Sequence, residues 1–321
     1  MKCIVTGGAG FIGSNLTDRL IDGGHQVTIF DDLSTGFEEN INSKATFYKV
    51  DISNMDDYYP FYFNDVDVIF HLACLARVQP SIENPMEYHN ANVNGTLNLL
   101  EMARKFNIKR FVFSSSSSVY GDAEQVPTTE ECKLNPISPY ALHKYIGEEY
   151  CKLYSKLYGI ETVSLRYFNV YGERQPTEGA YCLVMGVFAQ QLLNGELMTI
   201  NGDGEQRRDF TYVGDVVDAN IKCATIKMKW DGDIINIGAG DNRSVNQIAD
   251  LLGGDNSRIH RDPVVAPRET LAHNGKAKFL LNWKSTTTLE EWIPKWKKDI
   301  GLEDDIHIED STSKDRKRWA G

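Results

Sequence analysis

A glycine-rich segment near the start of the chain constrains the fold more than any other feature. Residues 7–13 read GGAGFIG, and they follow a short apolar run at 2–6 that is typical of a buried strand. Gly7, Gly10 and Gly13 allow a tight turn and let backbone N–H groups approach a phosphate at the start of the next helix. This order of strand, glycine turn and helix predicts a unit that binds a dinucleotide.

Acidic residues end the second apolar run of this unit. Asp31 follows residues 27–30, where its carboxylate can accept hydrogen bonds from both hydroxyls of an adenosine ribose. Asp32 comes next, and no arginine lies close behind it. The additional phosphate of NADP would face two carboxylates here, so the sequence predicts NAD as the cofactor.

Composition and charge narrow the possible functions. The 321 residues are 41% hydrophobic and 25% charged, which is ordinary for a globular enzyme of one large domain or two fused ones. The net charge of -11 argues against nucleic acid or an anionic membrane as the main partner. The six scattered cysteines form no CxxC pair, so we expect reduced thiols and no metal site. No apolar run approaches the length of a membrane span and strand-like sequence begins at residue 2, so we expect a cytoplasmic protein.

Strands and helices alternate through the first half of the chain. Apolar runs predict strands at 2–6, 27–30, 46–50, 66–72, 110–115 and 161–168, and helical patterns lie at 12–23, 85–106 and 138–158. Alternation of this kind implies a parallel sheet with helices on both faces. We therefore predict an α/β fold built on a doubly wound parallel (Rossmann) sheet.

The sequence changes in character after residue 168, and we predict that a dinucleotide-binding domain, 1–168, ends there. A smaller mixed α/β lobe that binds the substrate is expected over 169–310, followed by a tail at 311–321. Segment 209–240 is expected to return to the first domain, because 233–238 again resembles a buried strand. Helices of the second half are predicted at 184–194, 244–252 and 288–298.

A tyrosine and a lysine are spaced for chemistry on one helix. Tyr140 and Lys144 are one turn apart, so they share a face. The lysine ammonium favours the tyrosine phenolate, and the positive nicotinamide ring of NAD acts in the same direction, so Tyr140 can serve as a base at neutral pH. The same pair occurs on many solvated helices, and the spacing alone leaves that interpretation open.

The surroundings of this pair favour catalysis. Five serines, residues 114–118, follow the predicted strand at 110–115, at the sheet edge where open α/β folds bind ligands. A serine run can also be a flexible linker. Because this run is flanked by apolar residues and by VYG at 119–121, we expect its hydroxyls to face the crevice.

Together these motifs resemble those of the extended short-chain dehydrogenase/reductase family, in particular its nucleotide-sugar epimerase branch. They occur in order over nearly the whole chain: TGGAGFIG, HLA, NVNGT, SSSSSVYG, YALHK, RYFNVYG, GDGEQRRDFTYVGDV and WKSTTTLEEW. The resemblance implies NAD-dependent epimerisation at C4 of a UDP-hexose, in which a hydride leaves C4, the 4-ketosugar rotates, and the hydride returns to its other face. The implied sugars are glucose and galactose, and also N-acetylhexosamine or uronate forms.

The resemblance also assigns roles to residues. It implies that Ser116, Tyr140 and Lys144 are catalytic. Its cofactor-binding positions correspond to Gly7, Gly10, Phe11, Ile12, Gly13, Asp31, Asp32, Ser34, Thr35, Gly36, Asp51, Ile52, Leu72, Ala73, Asn92, Ser114, Tyr140, Lys144 and Tyr167. Its substrate-binding positions correspond to Ser116, Ser118, Tyr140, Asn169, Thr199, Asn201, Arg208, Arg268 and Thr270.

Two positions depart from the family pattern at the nucleotide end. Asn201 stands where an aromatic residue often packs near the uracil, and Pro263 stands where an arginine usually meets a phosphate. Arg268 or Arg261 is expected to supply the missing charge. Thr270 is small where a tyrosine would restrict the sugar, which resembles members that accept N-acetylhexosamines.

The resemblance leaves alternatives. Dehydratases and decarboxylases of the family need an acid just before VYG, where this chain has Ser117 and Ser118, so epimerisation is favoured. A different nucleotide-sugar epimerase and a non-catalytic NAD-binding regulatory protein also remain, although such regulatory proteins typically lose the tyrosine–lysine pair. The family's usual assembly implies a homodimer, joined through a four-helix bundle of helices 85–106 and 138–158 from each subunit.

Overall fold

A parallel sheet forms the frame that positions the site. The structure is a computed structural model that describes residues 1–176, 182–254, 257–263 and 267–302. The described strands are β1 (Lys2–Thr6), β2 (Gln26–Asp31), β3 (Thr46–Lys49), β4 (Val68–His71), β5 (Arg110–Ser116), β6 (Glu161–Tyr167), β7 (Val170–Tyr171), β8 (Met198–Asn201), β9 (Arg207–Asp209), β10 (Thr211–Tyr212), β11 (Asp233–Ile237), β12 (Asn242–Ser244) and β13 (Arg258–Arg261). The described α-helices are α1 (Phe11–Asp22), α2 (Val78–Glu83), α3 (Pro85–His89), α4 (Gly95–Lys105), α5 (Pro139–Tyr158), α6 (Val184–Leu193), α7 (Val213–Thr225), α8 (Val245–Leu252), α9 (Gly275–Leu281) and α10 (Leu289–Asp299).

Seven strands form the main sheet in the order β3-β2-β1-β4-β5-β6-β11. Every neighbouring pair in it is parallel. The chain adds strands first on one side of β1 and then on the other, and this reversal opens a crevice at the carboxyl ends of β1 and β4. The predicted doubly wound parallel fold is confirmed.

Helices cover both faces of this sheet, because side chains along each strand alternate between two apolar cores. Cys3 and Val5 lie in the core that α1 and α7 close. Ile4, between them, lies in the opposite core, which α4 and α5 close. The two catalytic candidates on α5 are therefore carried by a helix that packs directly on β5 and β6.

The second half of the chain adds a further core beside the crevice. Helices α6, α8 and α10 and strand β8 pack around Phe188, Ile200, Ile248 and Trp292. Within the described ranges, two-stranded ladders pair β7 with β10, β8 with β13 and β9 with β12. Strand β11 completes the main sheet and α7 packs against α1. The domain boundary at residue 168 stays a prediction, and the predicted tail at 311–321 lies outside the described residues.

The structure divides the helix predicted over 85–106. Helices α3 and α4 are joined by a π turn at Asn90–Asn94. In this turn the Asn92 side chain bonds to the backbone of Leu75 instead of projecting along the helix surface. Among the described helices, none has both the length and the apolar character that crossing a bilayer requires.

Candidate active site

The glycine turn between β1 and α1 needs its glycines. Gly7 has a φ of +71°, and a Cβ there would lie 2.8 Å from the backbone nitrogen of Ala73. A Cβ on Gly13 would lie 2.0 Å from the Gly7 carbonyl oxygen. Gly10 is the N-cap of α1 and offers no side chain to cap it, so the first N–H groups of the helix are left for a ligand. Together these features make a cradle that fits a pyrophosphate.

Asp31 lies at the end of β2, where the carboxyl ends of the strands meet the crevice. It is buried, and its carboxylate accepts hydrogen bonds from the backbone N–H groups of Ala9 at 3.0 Å and Leu33 at 2.9 Å. Burial raises the pKa of Asp31, while these two hydrogen bonds act in the opposite direction. The two bonds fix the carboxylate's orientation at the place predicted for the ribose hydroxyls of NAD.

A hydrogen-bonded chain through His71 fixes the backbone after β4. The Thr6 hydroxyl oxygen accepts the N–H groups of Leu72 at 3.2 Å and Ala73 at 3.1 Å, and it lies 2.8 Å from His71 Nδ1. Because that oxygen already accepts two donors, its own proton points to Nδ1, and His71 is neutral with its proton on Nε2. Burial lowers the pKa of His71 to about 3, with Lys144 acting in the same direction.

Asn92 belongs to the same chain. The His71 Nε2 atom lies 2.8 Å from the Thr96 hydroxyl, which donates in turn to the carbonyl oxygen of Asn92 at 2.6 Å. The Asn92 amide accepts from the backbone nitrogen of Leu75 at 2.8 Å and donates to its carbonyl oxygen at 2.9 Å. The resemblance implied a cofactor-binding role for Asn92. In the structure its side chain holds the loop after β4 through the backbone of Leu75.

Helix α5 begins at the site because of its local sequence. The Ser138 hydroxyl caps the helix by accepting the Ala141 N–H at 3.2 Å, and Pro139 occupies the first turn. The backbone nitrogen of Tyr140 donates to the Ser81 hydroxyl on α2 at 3.1 Å. These contacts fix Tyr140 in the first turn of α5, beside the end of β5.

The structure brings the three predicted catalytic residues together. Ser116, the last residue of β5, lines the same cavity as Tyr140, and its hydroxyl lowers the pKa of that phenol. Lys144 lies one turn further along α5, with its Nζ atom 6.0 Å from the centre of the Tyr140 ring. The same Nζ donates to the Ser114 carbonyl oxygen at 2.7 Å, and both Lys144 and Ser114 are buried. This arrangement places a hydroxyl and an ammonium around one phenol.

Burial and charge act against each other on that phenol. Burial raises the pKa of Tyr140, whereas the Lys144 ammonium, the Ser116 hydroxyl and the Arg77 guanidinium lower it, and burial has the larger effect. Burial also opposes the charged form of Lys144, but the neighbouring Cys74 and Tyr140 raise its pKa overall. In the protein, burial outweighs the effect of Lys144 on the pKa of Tyr140. The positive nicotinamide ring that the sequence analysis placed beside the pair would lower this pKa further.

Arg77 and Cys74 lie at the site but are not among the predicted site residues. Both line the cavity that contains Tyr140 and Lys144. Cys74 raises the pKa of Lys144, and Arg77 donates to the Cys182 carbonyl oxygen at 3.1 Å. Their position directly after the HLA motif was the available signal, because residues after a central strand of such a sheet face the crevice.

A cavity of about 820 Å³ joins these groups. Of the described residues predicted to hold the cofactor, Gly36 and Asn92 are the two that do not line it. A Cβ on Gly36 would lie 2.9 Å from Asp31 Oδ1, so the absence of a side chain at Gly36 leaves space for the Asp31 carboxylate. The cradle, the aspartate and the cavity fit NAD. When bound, NAD supplies a carbon that accepts and returns a hydride.

Most of the predicted substrate residues line the same cavity, and the others line a second one next to it. The first cavity includes Ser116, Ser118, Tyr140, Asn169, Arg208 and Thr270. The second, of about 740 Å³, includes Thr199, Asn201 and Arg268. Asn169 and Arg208 line both, so they join the two. A path therefore runs from the catalytic residues to the region predicted for the nucleotide.

The arginines at this end differ in what they can offer. Burial lowers the pKa of Arg208, whose Nη1 donates to the carbonyl oxygen of Arg207 at 2.8 Å. Arg268 is exposed and makes two bonds to the Asp203 carboxylate, at 2.8 and 2.9 Å. Arg261 lies on β13 and is not among the described residues that line either cavity. Asp203 therefore already occupies part of the guanidinium that was expected to replace the arginine absent at Pro263.

Fold and site together define a dinucleotide-dependent α/β enzyme that acts through a serine, a tyrosine and a lysine. A sequence model of the NAD-dependent epimerase/dehydratase family matches residues 3–238. This chain belongs to that family, and its cofactor is NAD.

Relatives match over almost their full lengths. A protein of Methanocaldococcus jannaschii, provisionally named a UDP-glucose 4-epimerase, is 43% identical over 297 residues, which are 91% of this chain and 96% of that protein. A UDP-glucose 4-epimerase of Thermotoga maritima, solved with UDP-glucose, has a TM-score of 0.86 at 37% identity, and the match covers 94% of this chain and 98% of that one. A UDP-N-acetylglucosamine 4-epimerase of Methanobrevibacter ruminantium, solved with UDP-N-acetylmuramic acid, has a TM-score of 0.85 at 35% identity, with 93% and 98% covered.

Proposed function

We propose that this protein is an NAD-dependent 4-epimerase of UDP-hexoses. One observation carries the proposal: Ser116, Tyr140 and Lys144 meet in a cavity that begins at the glycine cradle and continues to Arg208. A hydride acceptor, a base and a nucleotide site are then all within one continuous space. The names of the relatives support the same reaction.

The chain's own residues supply the proton chemistry. Tyr140, as the phenolate, takes the proton from the C4 hydroxyl of the sugar, and Ser116 hydrogen-bonds the same oxygen to hold it in place. Lys144 keeps its positive charge beside the phenol and is anchored to the Ser114 carbonyl oxygen. With the proton removed, C4 can give up its hydride. The resulting 4-ketosugar receives the hydride on its other face, and Tyr140 returns the proton.

The nucleotide half of the substrate would bind at the other end of the path. The Arg208 guanidinium is largely withdrawn from water, so a diphosphate in contact with it would form strong, charge-assisted hydrogen bonds. Asn169 and Thr270 line the same passage. Thr270 is small where a tyrosine would restrict the sugar, which supports acceptance of N-acetylhexosamines beside glucose and galactose.

A single assay tests the reaction and the sugar together. The purified protein, with no added cofactor, is incubated with UDP-glucose, UDP-N-acetylglucosamine and UDP-glucuronate, and the products are identified by proton NMR. Inversion at C4 of at least one sugar is the expected result. A 4-keto-6-deoxy or decarboxylated product would instead indicate a dehydratase or a decarboxylase, in spite of Ser117 and Ser118. No turnover of any sugar would favour a non-catalytic NAD-binding protein.

We also propose a cytoplasmic homodimer. Cys3, Cys151 and Cys223 are buried free thiols, which is usual in a reducing compartment. Helix α5 exposes Leu153, Leu157 and Tyr158 by 45, 58 and 49%, and an apolar surface of this kind supports pairing with a second copy. Tyr154, on the same helix, is buried and donates to Glu101 on α4.

A further inference from the structure

The end of β5 is joined to α5 at successive turns of the helix. Ser116 lines the cavity beside Tyr140 and lowers the pKa of its phenol, and the Ser114 carbonyl oxygen accepts from Lys144 Nζ at 2.7 Å. Because Tyr140 and Lys144 are four residues apart, the two contacts lie on one face of α5. The distance between Tyr140 and Ser116 therefore depends on the position of α5 along the length of β5.

Glu148 makes a third contact one turn after Lys144. Its Oε1 atom accepts from the Ser115 hydroxyl at 2.5 Å and from Arg166 Nε at 2.8 Å, and its Oε2 atom accepts from Arg166 Nη2 at 2.7 Å. Ser115 and Arg166 are paired residues of β5 and β6, so their side chains share a face of the sheet. One carboxylate therefore ties α5 to both strands beneath the catalytic residues.

This ion pair is fully buried, with Arg166 exposed by 1% and Glu148 by 0%. Arg166 Nη1 also donates to the Tyr120 hydroxyl at 2.7 Å, which donates to Asn236 Oδ1 at 2.7 Å. Removing two charges from water is costly, and apolar side chains of similar volume often stabilise a fold equally well or better. Stability therefore does not explain why an ion pair lies at this point.

The pair also acts on the electrostatics of the site. Burial opposes the Lys144 ammonium, and Glu148 is one of the neighbours that raise the pKa of Lys144. A carboxylate held one turn away thus helps Lys144 to stay charged beside Tyr140. The contacts of Glu148 and its negative charge therefore both act on the pair formed by Tyr140 and Lys144.

We propose that Glu148 is a positioning residue, held in place by Arg166 and Ser115. It fixes α5 along β5, and with it the separation of Tyr140 from Ser116. The inference rests on the proposed function, because it concerns the base of that reaction.

The test compares two glutamates that link the same two strands at opposite ends. Glu148→Gln removes the charge beneath the site. The control, Glu161→Gln, removes an ion pair with Arg110. Arg110 lies at the other end of β5, about 17 Å from Ser115 at a rise of about 3.3 Å per residue. We expect kcat to fall by about 10- to 100-fold in Glu148→Gln, with KM and bound NAD little changed, because small misplacements of reacting groups cost about that much. The control should keep the wild-type kcat.

A second readout separates positioning from simple stability and does not need turnover. The pKa of Tyr140 in the holoenzyme is measured by ultraviolet difference titration against Tyr140→Phe. We expect this pKa to rise in Glu148→Gln, because the phenolate loses support from Lys144, and to stay unchanged in Glu161→Gln. Should Glu148→Gln fail to fold, Ser115→Ala keeps both buried charges, and it should lower kcat by several-fold and move the Tyr140 pKa in the same direction.

Normal kcat and an unshifted Tyr140 pKa in Glu148→Gln, or in Ser115→Ala if that variant replaces it, would overturn the inference while leaving the proposed function intact. A wild-type protein that converts none of the sugars would contradict the proposed function. In that case the titration of Tyr140 would still decide whether Glu148 positions it.

Discussion

The chemistry proposed here depends on the ionisation of one phenol. Tyr140 is half-buried, and loss of water around its hydroxyl raises its pKa, an effect that its neighbours only partly reverse. Lys144 is the largest of the opposing influences, because its ammonium lies within 6.0 Å of the ring and is anchored to Ser114. A site of this kind should be strongly sensitive to pH and to the charge at residue 144.

Replacing Lys144 with methionine should therefore raise the pKa of Tyr140. The phenolate fraction at neutral pH would fall, so the acid limb of the kcat–pH profile should move to higher pH and kcat at pH 7 should drop by about 100-fold or more. The matched control is Lys152→Met. Lys152 is an exposed lysine two turns further along α5, where it pairs with Glu149. An acid limb that stays in place in Lys144→Met would remove Lys144 from this role.

His71 is a second residue whose charge state the structure determines. Its folded pKa is about 3, below the unfolded value of 6.5, so the unfolded chain binds more protons between these values. The stability contribution is present above pH 6.5 and is lost as pH falls toward 3. We expect His71→Gln to be less stable than the wild type at pH 7. On acidification its free energy of unfolding should fall less steeply than that of the wild type, with a difference in slope of about 1.4 kcal/mol per pH unit. Urea unfolding of both proteins from pH 7 to 4.5 measures this difference, and parallel curves would contradict it.

At the scale of elements, much of the fold could be predicted because strands and turns carry local signals. The seven sheet strands and the helices α1 and α5 follow from apolar runs, glycines and caps within a few residues of each element. The π turn at Asn90–Asn94 was not predicted, because the helical pattern over 85–106 does not distinguish an α-helical turn from a π turn. The ladders of the second half depend on similar distant pairings.

For the site residues too, local motifs could be predicted and contacts between distant parts of the sequence could not. Gly7, Asp31 and Tyr140 lie in local motifs and line the cavity as expected. The bond between Arg268 and Asp203 could not be anticipated, because these residues are 65 positions apart. The sequence shows which groups are available, whereas the tertiary contacts decide which of them are already occupied.

Helix α5 also allows a prediction about assembly. Leu157 is 58% exposed, next to Tyr158 on the surface proposed to pair with a second copy. Leu157→Glu should place a charge in that interface and shift the protein toward monomers, as measured by light scattering after size-exclusion chromatography. Glu149→Gln, also on an exposed part of α5, is a control for a change of charge alone. A wild-type monomer, or a variant that remains fully dimeric, would argue against this surface.

At the scale of the whole molecule, the site is shared between two structural cores. Tyr140 and Lys144 are carried by a helix that packs on the main sheet, whereas Arg208 and Thr270 come from the second half of the chain. Asp209, next to Arg208, accepts the N–H groups of Ala239, Gly240 and Ala272 at 2.8 to 3.0 Å. This buried carboxylate links the nucleotide end of the path to the end of β11.

The most direct test of the account follows the hydrogen at C4. UDP-glucose deuterated at C4, or whichever sugar proves to be the substrate, is converted in ordinary water by the wild-type protein and by Tyr140→Phe, and the products are analysed by NMR. We expect the deuterium to stay at C4 in the inverted product, and we expect Tyr140→Phe to retain NAD but convert no sugar. Exchange of the deuterium with solvent, or normal conversion by Tyr140→Phe, would contradict a mechanism in which this phenol moves the proton while one hydride leaves and returns.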